Sequence, residues 1–313
     1  MTVTQNPAVV FAYHDVGVRG LSALLACGVN VKLVVTHEDN PQENIWFGSV
    51  QRLAQLNGIP VITPADPNVP EVLEAVRRAA PDWLFSFYYR HMLSTDLLEI
   101  PPRGAFNLHG SLLPRYRGRV PVNWAIIHGE TETGVSLHRM EKKPDAGNLL
   151  AQDRIPILPN DTALDVFRKM TVAAETLLLR TVPDLLEGHA KEVPLNLSEG
   201  SYFGGRKPED GRIDWSHSAQ TLHNLIRAVA APYPGAFFDY EGKRIQIMGS
   251  YYRGLDALGP QPRLYWLEGD CWADCQDGKR LCLTQLVYEN APLTEVRFKD
   301  LFSPELILNT QTQ

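Results

Sequence analysis

Asn107 and His109 stand two residues apart in Phe106-Asn-Leu-His-Gly110. In an extended strand that spacing turns both side chains to one face. Gly110 then allows a sharp turn directly after them. A carboxamide N–H can bond a carbonyl oxygen as the carbon becomes tetrahedral, and an imidazole can move protons near neutral pH. Asp145, in Pro144-Asp-Ala-Gly147, can orient such an imidazole and stabilise its protonated form. The set suits acyl transfer. The same residues also fit a plainer reading, in which His109 is a satisfied strand-end histidine and residues 145–147 form a capping turn. Ser111 lies outside any G-x-S-x-G elbow and reads as a structural hydroxyl.

A strand must carry Asn107 and His109, and the first half of the chain supplies strands alternating with helices. Residues 8–13 are a continuous apolar run of the kind found in buried parallel strands. The pattern continues with a helix over 17–27, a strand over 29–36, a helix over 49–56, a short strand over 60–62 and a helix over 71–79. A strand over 83–87, a short helix over 94–98 and a strand over 105–109 follow. Residues 134–140 and 149–157 read as further strands. Asp161 is placed to cap a long helix in which Val166, Met170, Ala173 and Leu177 recur. The chain turns irregular over 189–211, and a helix over 217–230 leads into short alternating segments over 237–287.

The expected fold is therefore α/β. It joins a Rossmann-like, doubly wound, mainly parallel sheet to a smaller C-terminal β-barrel-like (OB-like) domain. The catalytic domain is placed at 1–189, a linker at 190–211 and the β-rich domain at 212–313. Ligands of such sheets bind beyond the strand C-termini, where Asn107 and His109 fall. The turn after the first strand, His14-Asp-Val-Gly-Val-Arg-Gly20, is not G-x-G-x-x-G, and no P-loop motif occurs, so the common nucleotide fingerprints are missing.

Composition narrows the partners. In 313 residues, 30 Lys+Arg oppose 36 Asp+Glu, a net charge of −6 that argues against a broad nucleic-acid surface. No apolar stretch is long enough for a membrane span, and the apolar run after the polar first seven residues is too short for a signal peptide. A cytoplasmic location is expected. Cys27, Cys271, Cys275 and Cys282 lack zinc-like partners and read as reduced thiols, with no metal implied. The sequence leaves oligomeric state open, a homo-oligomer included.

The run FNLHGSLLPRYRGRVPVNWAIIHGETETGVSLHRMEKKPDAG resembles the signature of the folate-dependent formyltransferases. So do VVFAYHDVG, THEDNP, FGSVQRLA, FSFYYRHML and RAVAAPYPGAF, and the likeness extends over essentially the whole chain. Within that family it is most similar to the formyltransferase domain of bifunctional polymyxin-resistance enzymes, which act in lipid A modification. The resemblance implies Asn107, His109 and Asp145 as catalytic triad and N10-formyltetrahydrofolate as donor, with no metal. The implied donor site comprises His91, Met92, Leu93, Arg119, Glu141, Lys142, Lys143, Pro144 and Asp145. Arg115 and Arg117 are candidates for the phosphates of a nucleotide-sugar substrate, since guanidinium forks suit such oxygens.

The implied acceptor is UDP-4-amino-4-deoxy-L-arabinose. Methionyl-tRNA formyltransferases of the same family carry a basic loop after the second strand, whereas residues 37–44 here are short and acidic. In the β-rich domain Asp and Glu at least match Lys and Arg, so no tRNA face stands out there. A non-catalytic folate-binding module would be expected to lack one of the triad residues, and all three are present. The decarboxylase region of the bifunctional enzymes does not follow residue 313, so oxidative decarboxylation is not expected of this sequence.

Overall fold

Residues 8–12 are fully buried because both faces of their strand are covered. The computed structural model describes residues 6–308, so most of the polar stretch 1–7 lies outside the described residues. In chain order the elements are β1 (Pro7–Ala12), α1 (His14–Ala26), β2 (Asn30–Val35), α2 (Val50–Leu56), β3 (Val61–Ile62), α3 (Pro70–Arg78), β4 (Trp83–Phe87), α4 (Thr95–Leu98), β5 (Gly104–His109) and β6 (Arg117–Gly118). There follow α5 (Pro121–Ile127), β7 (Glu132–Arg139), β8 (Leu149–Pro156), α6 (Ala163–Glu187), β9 (Tyr202–Phe203) and α7 (Ala219–Val229). Strands β10 (Ala236–Tyr240), β11 (Lys243–Asp256), β12 (Arg263–Leu267), β13 (Asp270–Asp274), β14 (Lys279–Tyr288) and β15 (Ala291–Pro292) precede α8 (Glu295–Phe302) and β16 (Glu305–Ile307).

The chain divides into two compact units. One holds the chain up to Pro121 together with Thr133–Ile155 and Arg168–Phe203. The other holds Val122–Glu132, Pro156–Phe167 and the chain from Gly204 onward. Segments 122–132 and 156–167, inside the sequence range given to the catalytic domain, thus belong to the second unit.

The first unit is built on a seven-stranded sheet of order β3-β2-β1-β4-β5-β7-β8. Its first five strands are parallel, and β7 pairs antiparallel with β5. Winding reverses between β1 and β4, which leaves a crevice outside their carboxyl ends. Val9, Phe11, Leu33, Val35 and Leu84 share one core cluster with Val72, Leu73 and Val76 of α3 and Leu97 of α4. Helix α1 comes so close to the sheet that a Cβ on Gly20 would strike the ring of Phe87. It starts at His14 rather than near Gly17, because the chain leaves β1 in the left-handed conformation (φ 67° at His14) and turns helical at once. Tyr88, after β4, has φ 56°.

Two helix details differ from the sequence reading. The cap of α6 is Thr162, whose hydroxyl accepts from the Asp165 N–H while the Asp165 carboxylate accepts from the Thr162 N–H. Asp161 accepts instead from the Leu158 N–H. The fully buried position one turn after Met170 is Ala174, not Ala173. Helix α5 was not anticipated, although Pro121 at its start and Gly129 beyond its end are ordinary boundary signals.

The second unit is an antiparallel sheet of order β10-β11-β14-β13-β12-β16 curled around an apolar core as a half-barrel. Helix α7 supplies Ala219, Leu222 and Ile226 to that core. Its polar side carries fully buried His223, whose Nε2–H donates to the Pro159 carbonyl and whose Nδ1 accepts from the Ser250 hydroxyl. Among the described residues no helix is long and apolar enough to cross a membrane.

Candidate active site

Strand β5 ends on Asn107 and His109, and β7 runs beside it with His138 opposite Asn107 and Ser136 opposite His109. After His109 the chain must turn tightly, since a Cβ on Gly110 would overlap the Tyr88 hydroxyl oxygen. The turn is fastened by Ser111, whose hydroxyl donates to the Arg115 carbonyl at 2.7 Å. Ser136 ties the same turn to β7, donating to the Ser111 carbonyl and accepting from the Leu113 N–H. Ser111 is thus a structural hydroxyl. The turn returns the Tyr116 carbonyl to His109, where Nε2–H donates to it at 2.9 Å. A carbonyl only accepts, so that bond places a proton on Nε2 and turns Nδ1 to the opposite side.

Asp145 waits on that side. The loop after β7 is closed by the Arg139 N–H bonding the Asn148 carbonyl at 2.8 Å. Gly147 must be glycine, because a Cβ there would overlap the Arg139 carbonyl oxygen. Asp145 itself sits at φ 50°, a left-handed conformation that aspartate tolerates better than most residues. Its Oδ2 accepts from the Gly118 N–H at 2.9 Å. Its Oδ1 lies 3.5 Å from His109 Nδ1 and 3.6 Å from His138 Nε2. Burial works to raise the Asp145 pKa, but the two imidazoles and the Gly118 N–H outweigh it and hold the carboxyl well below the usual range. A fixed carboxylate therefore faces two imidazoles, and an imidazolium at His109 would be ion-paired through Nδ1 and bonded to carbonyl through Nε2.

His138 was not anticipated. Its side chain is 2% exposed, and Nε2 lies 3.2 Å from the Asn107 amide nitrogen. The alternation in Gly134-Val-Ser-Leu-His-Arg139 already put Ser136 and His138 on one face of a strand, which was the available signal.

The remaining expected residues are placed as follows. His91, Met92 and Leu93 lie between β4 and α4; the first two are exposed, while Leu93 is buried in the core cluster against which Met140 also packs. Glu141, Lys142 and Lys143 are exposed and Pro144 is half-buried on the loop that carries Asp145. Arg119 is exposed, with its N–H on the Phe203 carbonyl. Arg115 is exposed and stacks over Tyr116 at 5.6 Å, whereas Arg117 is half-buried with Nε bonded to no described group. The structure thus brings Asn107, His109 and Asp145 together, and leaves the outer residues on the flanking loops.

A second feature escaped the sequence reading. The carboxyl ends of β1, β2 and β4 carry a cluster of rings. His14 stacks on Phe47 at 3.9 Å with Trp46 edge-on at 4.5 Å, and His37 stacks on Tyr89 at 4.1 Å. His37 Nε2 accepts from the Arg90 N–H, and His14 Nδ1 accepts from the Asp15 N–H. Burial, with the nearby Arg90 charge, lowers His14 to about 3. Burial, then His91 and Arg90, lowers His37 to about 4. Both rings are neutral near pH 7. Among the described residues no group of three or more His, Cys, Asp or Glu is arranged to hold a metal ion.

A strand-end amide and imidazole stand beside a half-buried, ionised carboxylate on a doubly wound sheet. The chain belongs to the formyl transferase family and is a formyltransferase: the formyl transferase model matches residues 20–182 and the formyl transferase C-terminal domain model residues 206–287. Among solved structures it is similar to WlaRD, a sugar 3N-formyltransferase crystallised with dTDP and 5-N-formyl-THF (19% identity, TM-score 0.70, 91% of this chain and 98% of that one). It is also similar to an N-formyltransferase from Helicobacter canadensis in complex with folinic acid and dTDP-3-aminofucose (20% identity, TM-score 0.70, 90% and 99%). HypX from Aquifex aeolicus with tetrahydrofolic acid matches more loosely (18% identity, TM-score 0.64, 93% of this chain and 46% of that one).

Proposed function

We propose that this enzyme moves a formyl group from N10-formyltetrahydrofolate to the amine of a nucleotide-linked amino sugar, with UDP-4-amino-4-deoxy-L-arabinose as the specific acceptor. The observation that carries the reading is the ionised Asp145 carboxylate set against His109, two residues along the strand from the Asn107 amide. Neutral acceptor amine attacks the formyl carbon, a C–N bond forms and the carbonyl electrons move to oxygen. Asn107 donates to that oxygen, and the positive charge on His109 stabilises it. On collapse the carbonyl reforms and the bond from carbon to N10 breaks. The amine's proton ends on N10. Neutral His109 takes it at Nδ1 as the new C–N bond forms, and the imidazolium so made, stabilised by Asp145, is the positive charge beside the oxyanion. It gives the proton to N10 as the bond from carbon to N10 breaks. An N-formyl group is already an electrophile, so these residues suffice for the step.

The donor assignment is supported by the folates bound to the solved neighbours, and the acceptor class by the dTDP of one and the dTDP-3-aminofucose of the other. Those neighbours hold dTDP ligands, and the UDP sugar rests on the sequence resemblance to the polymyxin-resistance enzymes. The donor would lie along His91–Leu93 and the 141–145 loop. The ring cluster of His14, Trp46 and Phe47 offers stacking surface for the acceptor. Arg117, with an unbonded Nε among the described groups, suits a phosphate oxygen better than exposed Arg115 does.

The test offers N10-formyltetrahydrofolate with UDP-4-amino-4-deoxy-L-arabinose, with dTDP-linked 3-amino and 4-amino sugars, and with Met-tRNA, and follows formylated product by mass. Formylation of the UDP sugar at the highest kcat/KM is expected. Preference for a dTDP sugar would replace the acceptor and keep the class; formylation of Met-tRNA alone would overturn both.

A further inference from the structure

We propose that His138 is a positioning residue: its Nε2 fixes which way round the Asn107 carboxamide sits, keeping one amide N–H for the oxygen of the reacting formyl group. The two ends of a carboxamide are nearly the same shape, so its orientation is decided by its partners. Here the partner has one protonation pattern in its neutral form. His138 Nδ1 lies 2.8 Å from the Arg139 carbonyl oxygen, which only accepts, so the proton is on Nδ1 and the lone pair on Nε2. That lone pair faces the Asn107 amide nitrogen at 3.2 Å, with Asp145 Oδ1 3.6 Å from the same Nε2. Turned the other way, the amide oxygen would confront both the lone pair and the carboxylate, three acceptors with no proton among them. The NH2 end is therefore held toward His138 and Asp145. One N–H is spent on Nε2 and the second is left for substrate.

The arrangement is enforced from the backbone. His138 is directly opposite Asn107 across the β5–β7 ladder, and its side chain is buried. The Arg139 carbonyl that sets its tautomer is the one against which Gly147 packs, so the loop bearing Asp145 also fixes the proton on His138. His138 acts through Asn107 and has no reaction step of its own.

The inference rests on formyl transfer at Asn107, His109 and Asp145, and the experiment separates the two. Turnover is measured for His138→Phe and His138→Gln, each alone and combined with Asn107→Ala. Phe keeps the ring shape without the acceptor; the Gln amide oxygen can stand where Nε2 stood. His138→Phe is expected to lower kcat about 10-fold or more with KM for both substrates within about two-fold. His138→Gln should recover to within about three-fold of wild type, and in the Asn107→Ala background His138→Phe should cost no more than about two-fold. Equal losses in both backgrounds, or full kcat in His138→Phe, would overturn the positioning role while leaving formyl transfer intact. Unchanged turnover in Asn107→Ala itself would remove the role of Asn107, and that of His138 with it. If His138→Phe is unstable, comparison of His138→Gln with His138→Met carries the same test.

Discussion

Replacing Asp145 by asparagine removes one charge from the site and little else. Asparagine is isosteric, is among the residues most tolerant of the left-handed φ found there, and can still accept from the Gly118 N–H. What is lost is the attraction between the carboxylate and an imidazolium at His109. Unit charges 3.5 Å apart attract by about 5 kcal/mol at an effective dielectric of about 20. The carboxylate is 13% exposed, and solvent screening there reduces the useful part to about 2–3 kcal/mol, or ~10²-fold in turnover. The assay is kcat at saturating donor and acceptor, with a thermal melt showing the fold unchanged. Asp145→Asn within about three-fold of wild type would refute the assignment of Asp145 as the group that stabilises a charged His109.

His109→Ala should fold normally and lose ~10² or more in kcat, as measured by steady-state transfer; near-normal turnover would remove His109 from its role. Gly147→Ala should destabilise by about 1–3 kcal/mol in chemical denaturation and lower kcat as well, since the new Cβ displaces the Arg139 carbonyl and with it the loop of Asp145. In the second unit, burial lowers His223 from 6.5 to about 4, so the unfolded chain takes up the proton first. Its contribution is complete above pH 6.5 and is lost as pH falls toward 4, by about 3 kcal/mol. Urea midpoints at pH 7 and pH 4.5 should therefore differ less in His223→Gln than in wild type.

The doubly wound sheet was legible because its strands are buried on both faces and so read as apolar runs, as residues 8–12 and 83–87 do. Asn107 and His109 were legible because a two-residue spacing at a strand end carries its geometry with it. His138 was not, since its importance depends on β7 lying antiparallel beside β5, and pairing sense is not written in either strand. The same holds for the ring cluster: Trp46 and Phe47 meet His14 only because β1 and β2 end at one edge of the sheet. Thr162 outcompeted its neighbour as a cap through a reciprocal bond with Asp165 that was visible in the spacing. In isolation aspartate is an equally good cap, and only that reciprocal bond separates Thr162 from Asp161.

The groups proposed to handle charge and protons all lie in the stretch from Asn107 to Asp145, on two neighbouring strands and the loop that closes one of them. The rings at the ends of β1, β2 and β4 come earlier in the chain. Chemistry and surroundings are thus encoded in successive blocks, and a recombination point between β4 and β5 would pass one block on whole while exchanging the other. A lineage built this way could exchange the ring cluster by shuffling and still pass on the Asn107–Asp145 block whole.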